Sequence, residues 1–322
     1  SNDRLKIIAL LGLGFALMLS LRLASLQIWS VDIYTHRAKS QHIKQKVLQA
    51  NRGHILDNQG RVLATNLESQ SFFVNRISNI DSLRSLAVRF SHESGQNEAT
   101  LLKKLQQKRP FVWLARKMFN GPASKDLPNG VGRIVEMRRR YPMSTLAGQV
   151  LGYTDTDNKG IEGIERGFDA LLRGTPGELS ARVDARGHVI SALGAVKSFP
   201  QNGDNLHLTL DADYQSIAEE ELATAIDTFQ AHSGIAVVMA PHTGEILAIA
   251  NVPTYDPNDF NQYESWKRRN RVVTDQFEPG STFKVVAVAA GLEEQKIHPE
   301  EAFFCENGRL QVAGGQVISD TH

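Results

Sequence analysis

Glu278-Pro279-Gly280-Ser281-Thr282-Phe283-Lys284 is the stretch on which the reading of this chain turns. It holds the chain's single S-x-x-K, a pattern short enough to arise roughly once by chance in a chain of this serine and lysine content. Its context is more specific. Pro279 and Gly280 precede Ser281, and Val285-Val286-Ala287-Val288-Ala289-Ala290-Gly291-Leu292 follows without a polar side chain. A turn feeding a buried helix, with Ser281 in the first turn, has this pattern. Residues three apart share a helix face, so the spacing predicts Lys284 beside Ser281. That is a nucleophile with an adjacent base. A serine that only caps the helix start is the plainer alternative.

The 322 residues are 41% hydrophobic and 22% charged, a globular composition with room for two domains. A net charge of +1 offers no global field for nucleic acid, and no nucleic-acid partner is expected. The one cysteine, Cys305, excludes an internal disulfide framework and a cysteine-based zinc site. No metal and no cofactor are expected.

Ile7 to Leu21 carries no charge; Arg22 interrupts the run and Leu23 to Trp29 continues it. The uncharged core is short for a membrane span, but Arg22 can snorkel towards the headgroups and lengthen it. Arg4 and Lys6 precede it, which places the N-terminus in the cytoplasm, with Trp29 and Tyr34 at the far interface. A cleaved signal peptide is the alternative, yet Leu21-Arg22-Leu23 stands where its small-x-small site belongs. The expectation is a single-pass anchor in the inner (cytoplasmic) membrane, with the bulk of the chain outside the cytoplasm.

Beyond the anchor, residues 30 to 50 read as an extension of the helix and then a strand, Gln45 to Ala50. Apolar residues flank Asp57-Asn58-Gln59-Gly60, which predicts a β-hairpin over residues 51–66. An ion pair or turn bond between Arg52 and Asp57 is expected there. Leu83, Leu86, Ala87 and Phe90 make one helical stripe and Leu101, Leu102 and Leu105 a second, broken by residues 91–97. The basic run Lys103, Lys104, Lys108, Arg109, Arg116 and Lys117 reads as a solvated face rather than a nucleic-acid patch. Residues 159–177 predict a short helix with Ile164, Phe168, Leu171 and Leu172 inward; Glu162, Glu165 and Asp169 read as surface ion pairs rather than catalytic acids. From Leu206 the texture changes to strand, helix and hairpin. Asp211 caps a helix striped by Ile217, Leu222, Ala225, Ile226 and Phe229, and 235–240 and 246–250 read as buried strands. A boundary at 200–204 divides the expected domains: 1–45 anchor and extension, 46–203 pedestal, 204–322 an α/β domain.

Several of these stretches together resemble the class B penicillin-binding proteins. Residues 52–64 (RGHILDNQGRVLA), 139–154 (RRYPMSTLAGQVLGYT) and 160–177 (GIEGIERGFDALLRGTPG) are similar to boxes of that family's non-catalytic module. Residues 207–222, 233–258 and 269–284 look like the opening of its transpeptidase domain. The resemblance runs through essentially the whole chain, in the family's order. It implies a multi-domain architecture: an N-terminal transmembrane helix, an α+β pedestal of dimerisation type, then the N-terminal part of an α/β, β-lactamase-like transpeptidase domain. The compact first module looks more like the division-specific, FtsI-like branch than the elongation branch.

The resemblance also implies a chemistry. Ser281 matches the acylated nucleophile and Lys284 the base on its hydroxyl. The substrate would be the D-Ala-D-Ala end of a peptidoglycan stem peptide on lipid II-derived glycan, and β-lactams would acylate the same serine. A SEDS-type glycosyltransferase and other divisome proteins would be its partners. The family's S-x-N and K-T-G motifs do not follow Ser281, and His242-Thr243-Gly244 lies before it in a turn. The sequence is therefore expected to be a fragment. A non-catalytic membrane-anchored interaction module is one alternative. A β-lactam sensor or class D-like β-lactamase is another, against which the 46–202 module argues.

Overall fold

The computed structural model describes residues 2–29, 43–75, 80–107, 109, 111–123, 126–128, 130–183, 189–191 and 196–319. The chain divides into two units, Ser1–Val273 and Thr274–His322.

In the first unit the apolar N-terminal run forms helix α1 (Asn2–Ala24), continued by a π-helical turn, Ser25–Trp29. Among the described residues, Lys6–Ile28 is the one helix long and apolar enough to cross a membrane, with a mean hydropathy of 2.2 and none of it buried. The expected extension and Tyr34 lie outside the described residues. Strand β1 (Ile43–Leu48) starts two residues before the predicted strand. Next come β2 (Ile55–Leu56) and β3 (Val62–Asn75), then helices α2 (Ile80–Ser94) and α3 (Glu98–Gln106), then β4 (Phe111–Met118) and β5 (Val131–Arg140). Two short helices follow, α4 (Gly163–Gly167) and α5 (Asp169–Leu172). Strands β6 (Gly177–Val183), β7 (Val189–Ser191), β8 (Val196–Ser198) and β9 (Leu206–His207) precede α6 (Ala212–Thr228) and the ribbon β10 (Gly234–Met239) and β11 (Ile246–Val252).

The hairpin is where the turn residues predict it. Ile55 pairs with Ala64 and Leu56 with Val62, while Asp57 Oδ1 accepts the N–H groups of Gln59 and Arg61 at 2.9 and 2.8 Å. The hairpin anchors a five-stranded sheet in the order β4-β3-β2-β9, with β5 also on β3. Helices α2 and α3 cover the far end of β3. Leu83, Leu86, Ala87, Phe90, Leu101 and Leu105 meet Phe72, Val74 and Leu114 in one apolar core. Asn97, inside the predicted break, caps α3 by accepting from the Thr100 N–H at 3.1 Å. A second core joins the hairpin (Ile55, Leu63, Ala64) to Leu151, Leu172 and Leu210. In the basic run, Arg116 lies over the Trp113 ring at 4.9 Å and pairs with Glu136 and Asp157. Lys108 lies outside the described residues.

Four expectations are corrected. Arg52 does not pair with Asp57. Its Nε donates to Glu165 at 2.6 Å and its Nη1 to Asp169 at 2.7 Å, while Asp57 pairs with Arg61 at 2.6 Å. Glu165 is no surface group: it is 0% exposed, and Arg139 Nε meets its other oxygen at 2.6 Å. Charge opposes this burial, and the two arginines offset the cost, because a buried carboxylate survives only with opposite charges and donors around it. The helix over 159–177 is two short helices, and Phe168 and Leu171 face solvent. Strand β10 is exposed at Ile235, Val237, Val238 and Met239, and Ile217 of α6 and Phe229 at its C-terminal end are exposed, because a two-stranded ribbon is covered by α6 on one face only. Leu222 and Ile226 face that ribbon at Gly234, and Ala248 and Ala250 of β11 are buried as expected.

A second ionic clamp ties the hairpin turn to α6. Arg61 reaches Asp57, Asp211 (3.0 Å) and Asp213 (2.7 Å), and Asp211 caps α6 as predicted. The Gln59 side chain and the helix-start N–H groups outweigh burial and pull the Asp211 carboxyl down to about 2. Burial pushes the Asp57 carboxyl up, but the Arg61 and Ala212 bonds win and hold it low. Asp169 is also held low: burial opposes, and the Gly160 N–H and Arg52 prevail.

Glu165→Gln leaves two buried guanidiniums short of charge. It is expected to cost about 3–5 kcal/mol in urea unfolding of the first unit, against about 0.5 kcal/mol or less for Arg166→Gln on the exposed side of the same helix. The depressed aspartates set an acid limit. Their folded values lie below the unfolded ones, so their stabilisation is complete above about pH 4 and is lost as pH falls towards about 2. Thermal midpoints measured from pH 6 to pH 2 are expected to fall steeply below about pH 4.

Candidate active site

The second unit is taken by itself. Glu278-Pro279 leads to Gly280, whose φ is +52°, and a 3₁₀ turn runs from Gly280 to Phe283. Pro279 carries the turn's first acceptor: its carbonyl takes the Thr282 N–H at 3.2 Å and also the Thr282 hydroxyl. Helix α7 (Lys284–Glu293) continues it, and the Lys284 N–H bonds back to the carbonyls of Ser281 and Thr282. Ile297 then folds onto Gly291, and a small hairpin, β12 (Arg309–Gln311) and β13 (Val317–Ser319), closes the unit.

Ser281 thus sits one residue into the helix start, and Lys284 stands three residues on. In 3₁₀ geometry side chains three apart eclipse one another, so both rise on one side of the turn. Both are exposed, and among the described residues no hydrogen bond joins Ser281 Oγ to Lys284 Nζ. The first N–H groups of a helix have no intrahelical acceptor, which leaves the Ser281 amide pointing out of the turn beside its own hydroxyl. Thr282 was not singled out by the sequence. Its hydroxyl bond to Pro279 locks the bend, and a Pro-x-x-Thr spacing is the signal that marks it.

The predicted burial of the helix is not met. None of its residues is buried: Val285 is 72% exposed and Val288 50%. Among its described residues the second unit has one small hairpin and two 3₁₀ turns besides the helix, too little apolar surface to cover it. A helix apolar all round is the kind that ends up enclosed.

The other candidate groups resolve structurally. Glu165 and Asp169 belong to the buried arginine cluster, and Glu162 bonds the Tyr153 hydroxyl at 3.3 Å. His242-Thr243-Gly244 turns the chain between β10 and β11. Among the described residues, no three His, Cys, Asp or Glu side chains are grouped to hold a metal ion.

Comparison with known proteins adds an independent line. Residues 47–208 match the family model of the penicillin-binding protein dimerisation domain. Residues 234–320, which include Ser281 and Lys284, match that of the penicillin binding protein transpeptidase domain. The chain is 33% identical over 330 residues to a probable peptidoglycan D,D-transpeptidase PenA of Neisseria gonorrhoeae, covering 100% of this chain and 56% of the relative. It is 34% identical over 298 residues to the peptidoglycan D,D-transpeptidase FtsI of Escherichia coli K12, covering 88% of this chain and 49% of the relative. The chain spans about half the length of these curated relatives. Among solved structures, the Helicobacter pylori penicillin-binding protein PBP2 in complex with MreC shares its fold, with a TM-score of 0.65 at 23% identity over 87% of this chain and 58% of that one.

Gly280→Ala probes the bend that presents Ser281. The added Cβ meets no atom within 4 Å, but φ of +52° is unfavourable for alanine. The substitution is expected to loosen the helix start by about 1 kcal/mol, seen as faster amide exchange at Thr282 and Lys284 with the first unit unchanged.

Proposed function

Because the chain belongs to the class B penicillin-binding proteins, we propose that its protein is a peptidoglycan D,D-transpeptidase acting in septal wall synthesis, with Ser281 as nucleophile and Lys284 as base. The observation that carries this is the match of 234–320 to the transpeptidase domain, with S-x-x-K inside it at a helix start. The naming of relatives at 33% and 34% identity as D,D-transpeptidases supports the reaction, and FtsI among them supports the division branch. The domains follow as 1–45 anchor and extension, 46–203 pedestal and 204–322 the transpeptidase part.

The steps are those of acyl transfer. Lys284 Nζ, as the base, takes the proton of Ser281 Oγ as that oxygen attacks the carbonyl of the D-Ala-D-Ala bond. The C–N bond breaks, and the terminal D-Ala leaves as an amine after receiving the proton. An acceptor amine then attacks the ester, releases Ser281 and completes the cross-link. The outward Ser281 N–H supplies one donor to the oxyanion of each tetrahedral intermediate. A β-lactam follows the first half of this course and stops at the ester.

The Lys6–Ile28 helix supports a membrane anchor, and Arg4 and Lys6 before it support a cytoplasmic N-terminus. A second role is supported by the pedestal, which has an apolar core of its own, and by a structural neighbour solved in complex with MreC. We infer that the pedestal docks a SEDS-type glycosyltransferase or other divisome proteins.

Fluorescent penicillin added to membranes holding the native gene product is expected to label it covalently. Ser281→Ala is expected to abolish the label and Lys284→Ala to slow its appearance by about 100-fold or more. Labelling that survives Ser281→Ala overturns the assignment.

A further inference from the structure

Away from Ser281, the first unit holds a cavity of about 280 Å³ between β4, β5, the 154–158 turn and residues 257–262. Four cations line it, Arg116, Lys117, Arg138 and Arg139. Two have carboxylate partners: Arg116 bridges Glu136 and Asp157, and Arg139 is held by Glu165. Among the described residues, Lys117 and Arg138 form no ion pair. Lys117 Nζ donates to the amide oxygen of Asn158 at 2.7 Å. Arg138 donates to the Lys117 carbonyl at 3.1 Å and lies 4.7 Å over the Phe119 ring.

Lys117 is 6% exposed and Arg139 4%, so both form the floor. Arg139 Nη2 and Arg116 Nε are buried and have no acceptor. Asp155 and Asp259 also line the cavity, Asp155 bearing on Lys117 and Asp259 on Arg138, and neither forms an ion pair with them. Asp155 Oδ1 already accepts the N–H groups of Asp157 and Lys159 at 2.8 and 2.9 Å, and Asp259 is exposed.

The backbone is bent to place Lys117 there. Its φ is +53°, in the left-handed region that a long side chain rarely adopts. The bend coincides with register shifts in the β3–β4 ladder on either side of Phe72, and the Lys117 N–H bonds to Ser71 Oγ at 2.9 Å. Bulges re-aim side chains, and an unfavoured backbone state persists only where its surroundings hold it. Here it turns a lysine into the interior, where its ammonium bonds an amide oxygen rather than a carboxylate. Burial, opposed by Glu136 and reinforced by Arg116, brings the ammonium down to about 8.

We propose that this cavity binds a small oxyanion, a carboxylate or phosphate group on a molecule of about monosaccharide size, between Lys117, Arg138 and Arg139. The anion supplies the direct ion pair that the Lys117 ammonium and the Arg138 guanidinium lack among the described residues, and accepts from the orphaned Nη2 of Arg139. The inference is independent of the transpeptidase reading, since it uses no group of the Ser281 turn.

Calorimetric titration of the full chain in neutral detergent tests it, with inorganic phosphate, succinate and, at matched ionic strength, sodium chloride. Saturable binding of phosphate or succinate over the chloride control is expected, weakened about tenfold or more by Lys117→Met and by Arg138→Gln. Tighter phosphate points to a phosphorylated ligand and tighter succinate to a carboxylated one. A pH series on the unaltered chain needs no variant. The charged groups facing Lys117 are Glu136 of β5, Arg116 of β4, and Asp155 and Asp157 of the 154–158 turn. None of these residue types titrates between about pH 7 and 9, and succinate stays fully ionised. Succinate affinity is therefore expected to fall about tenfold from pH 7 to pH 9 as Lys117 loses its proton. No saturable heat above chloride, or binding indifferent to both substitutions and to pH, overturns the proposal.

Discussion

Glu165 is a carboxylate with no access to water, held between two arginines, and the first unit depends on that arrangement. A lone charge so deep would be prohibitive. Bound on one oxygen by Arg52 and on the other by Arg139, it becomes a fixed junction of three chain segments. Asp169 supplies the second negative charge, so two guanidiniums meet two carboxylates. Spare donors go to backbone: Arg52 Nη2 bonds the Glu165 carbonyl at 2.8 Å and Arg139 Nη1 the Gly53 carbonyl at 2.7 Å. Gly53 has to be glycine, because a Cβ there would stand 1.8 Å from the Asp204 carbonyl oxygen. Such bonds are directional, and apolar packing of equal energy would not specify the same register. They fix how the hairpin, β5 and the α4–α5 segment meet, and with them the edge on which β9 lies.

Local chemistry was legible in the sequence and distant pairing was not. The hairpin announced itself through Asp57 to Gly60, because an Asx turn bonds within five residues. Asp211 and the stripes of α2 and α3 were equally plain, since caps and helical faces are set by residues three or four apart. Arg52 was assigned its near neighbour Asp57, yet its partners are 113 and 117 positions away. Nothing in a helix carrying Glu162, Glu165 and Asp169 tells which carboxylate turns inward. The parallel pairing of β2 with β9 has no local signature either. At the candidate site Ser281 and Lys284 were singled out by spacing, and the family match covers both. The turn at Pro279 and Gly280 was equally plain, while the Thr282 bond to Pro279 was not.

The two units carry opposite surface logic. The first hides its charges, in the arginine cluster and in the floor of the cationic cavity. The second displays apolar side chains: Phe277, Phe283, Val285 and Phe304 are each more than half exposed. Large exposed apolar side chains gathered into a patch mark surfaces that meet other surfaces. The curated relatives run to about twice this length.

The long reach of Arg52 also bears on how the chain acquires its shape. Its hydrogen bonds, the Gly53 bond to Leu172 and the pairing of Ile55 with Leu206 all close loops of more than a hundred residues. Loop closure must precede the energy such contacts return, so topologies of this kind assemble slowly. A nascent chain therefore carries Arg52 uncompensated until residues 165–169 have emerged, and the β2 edge open until 206–207 have. The α2–α3 core, built from residues 72–118, can form well before that. The module is thus a clasp that shuts last, from both ends of its sequence at once.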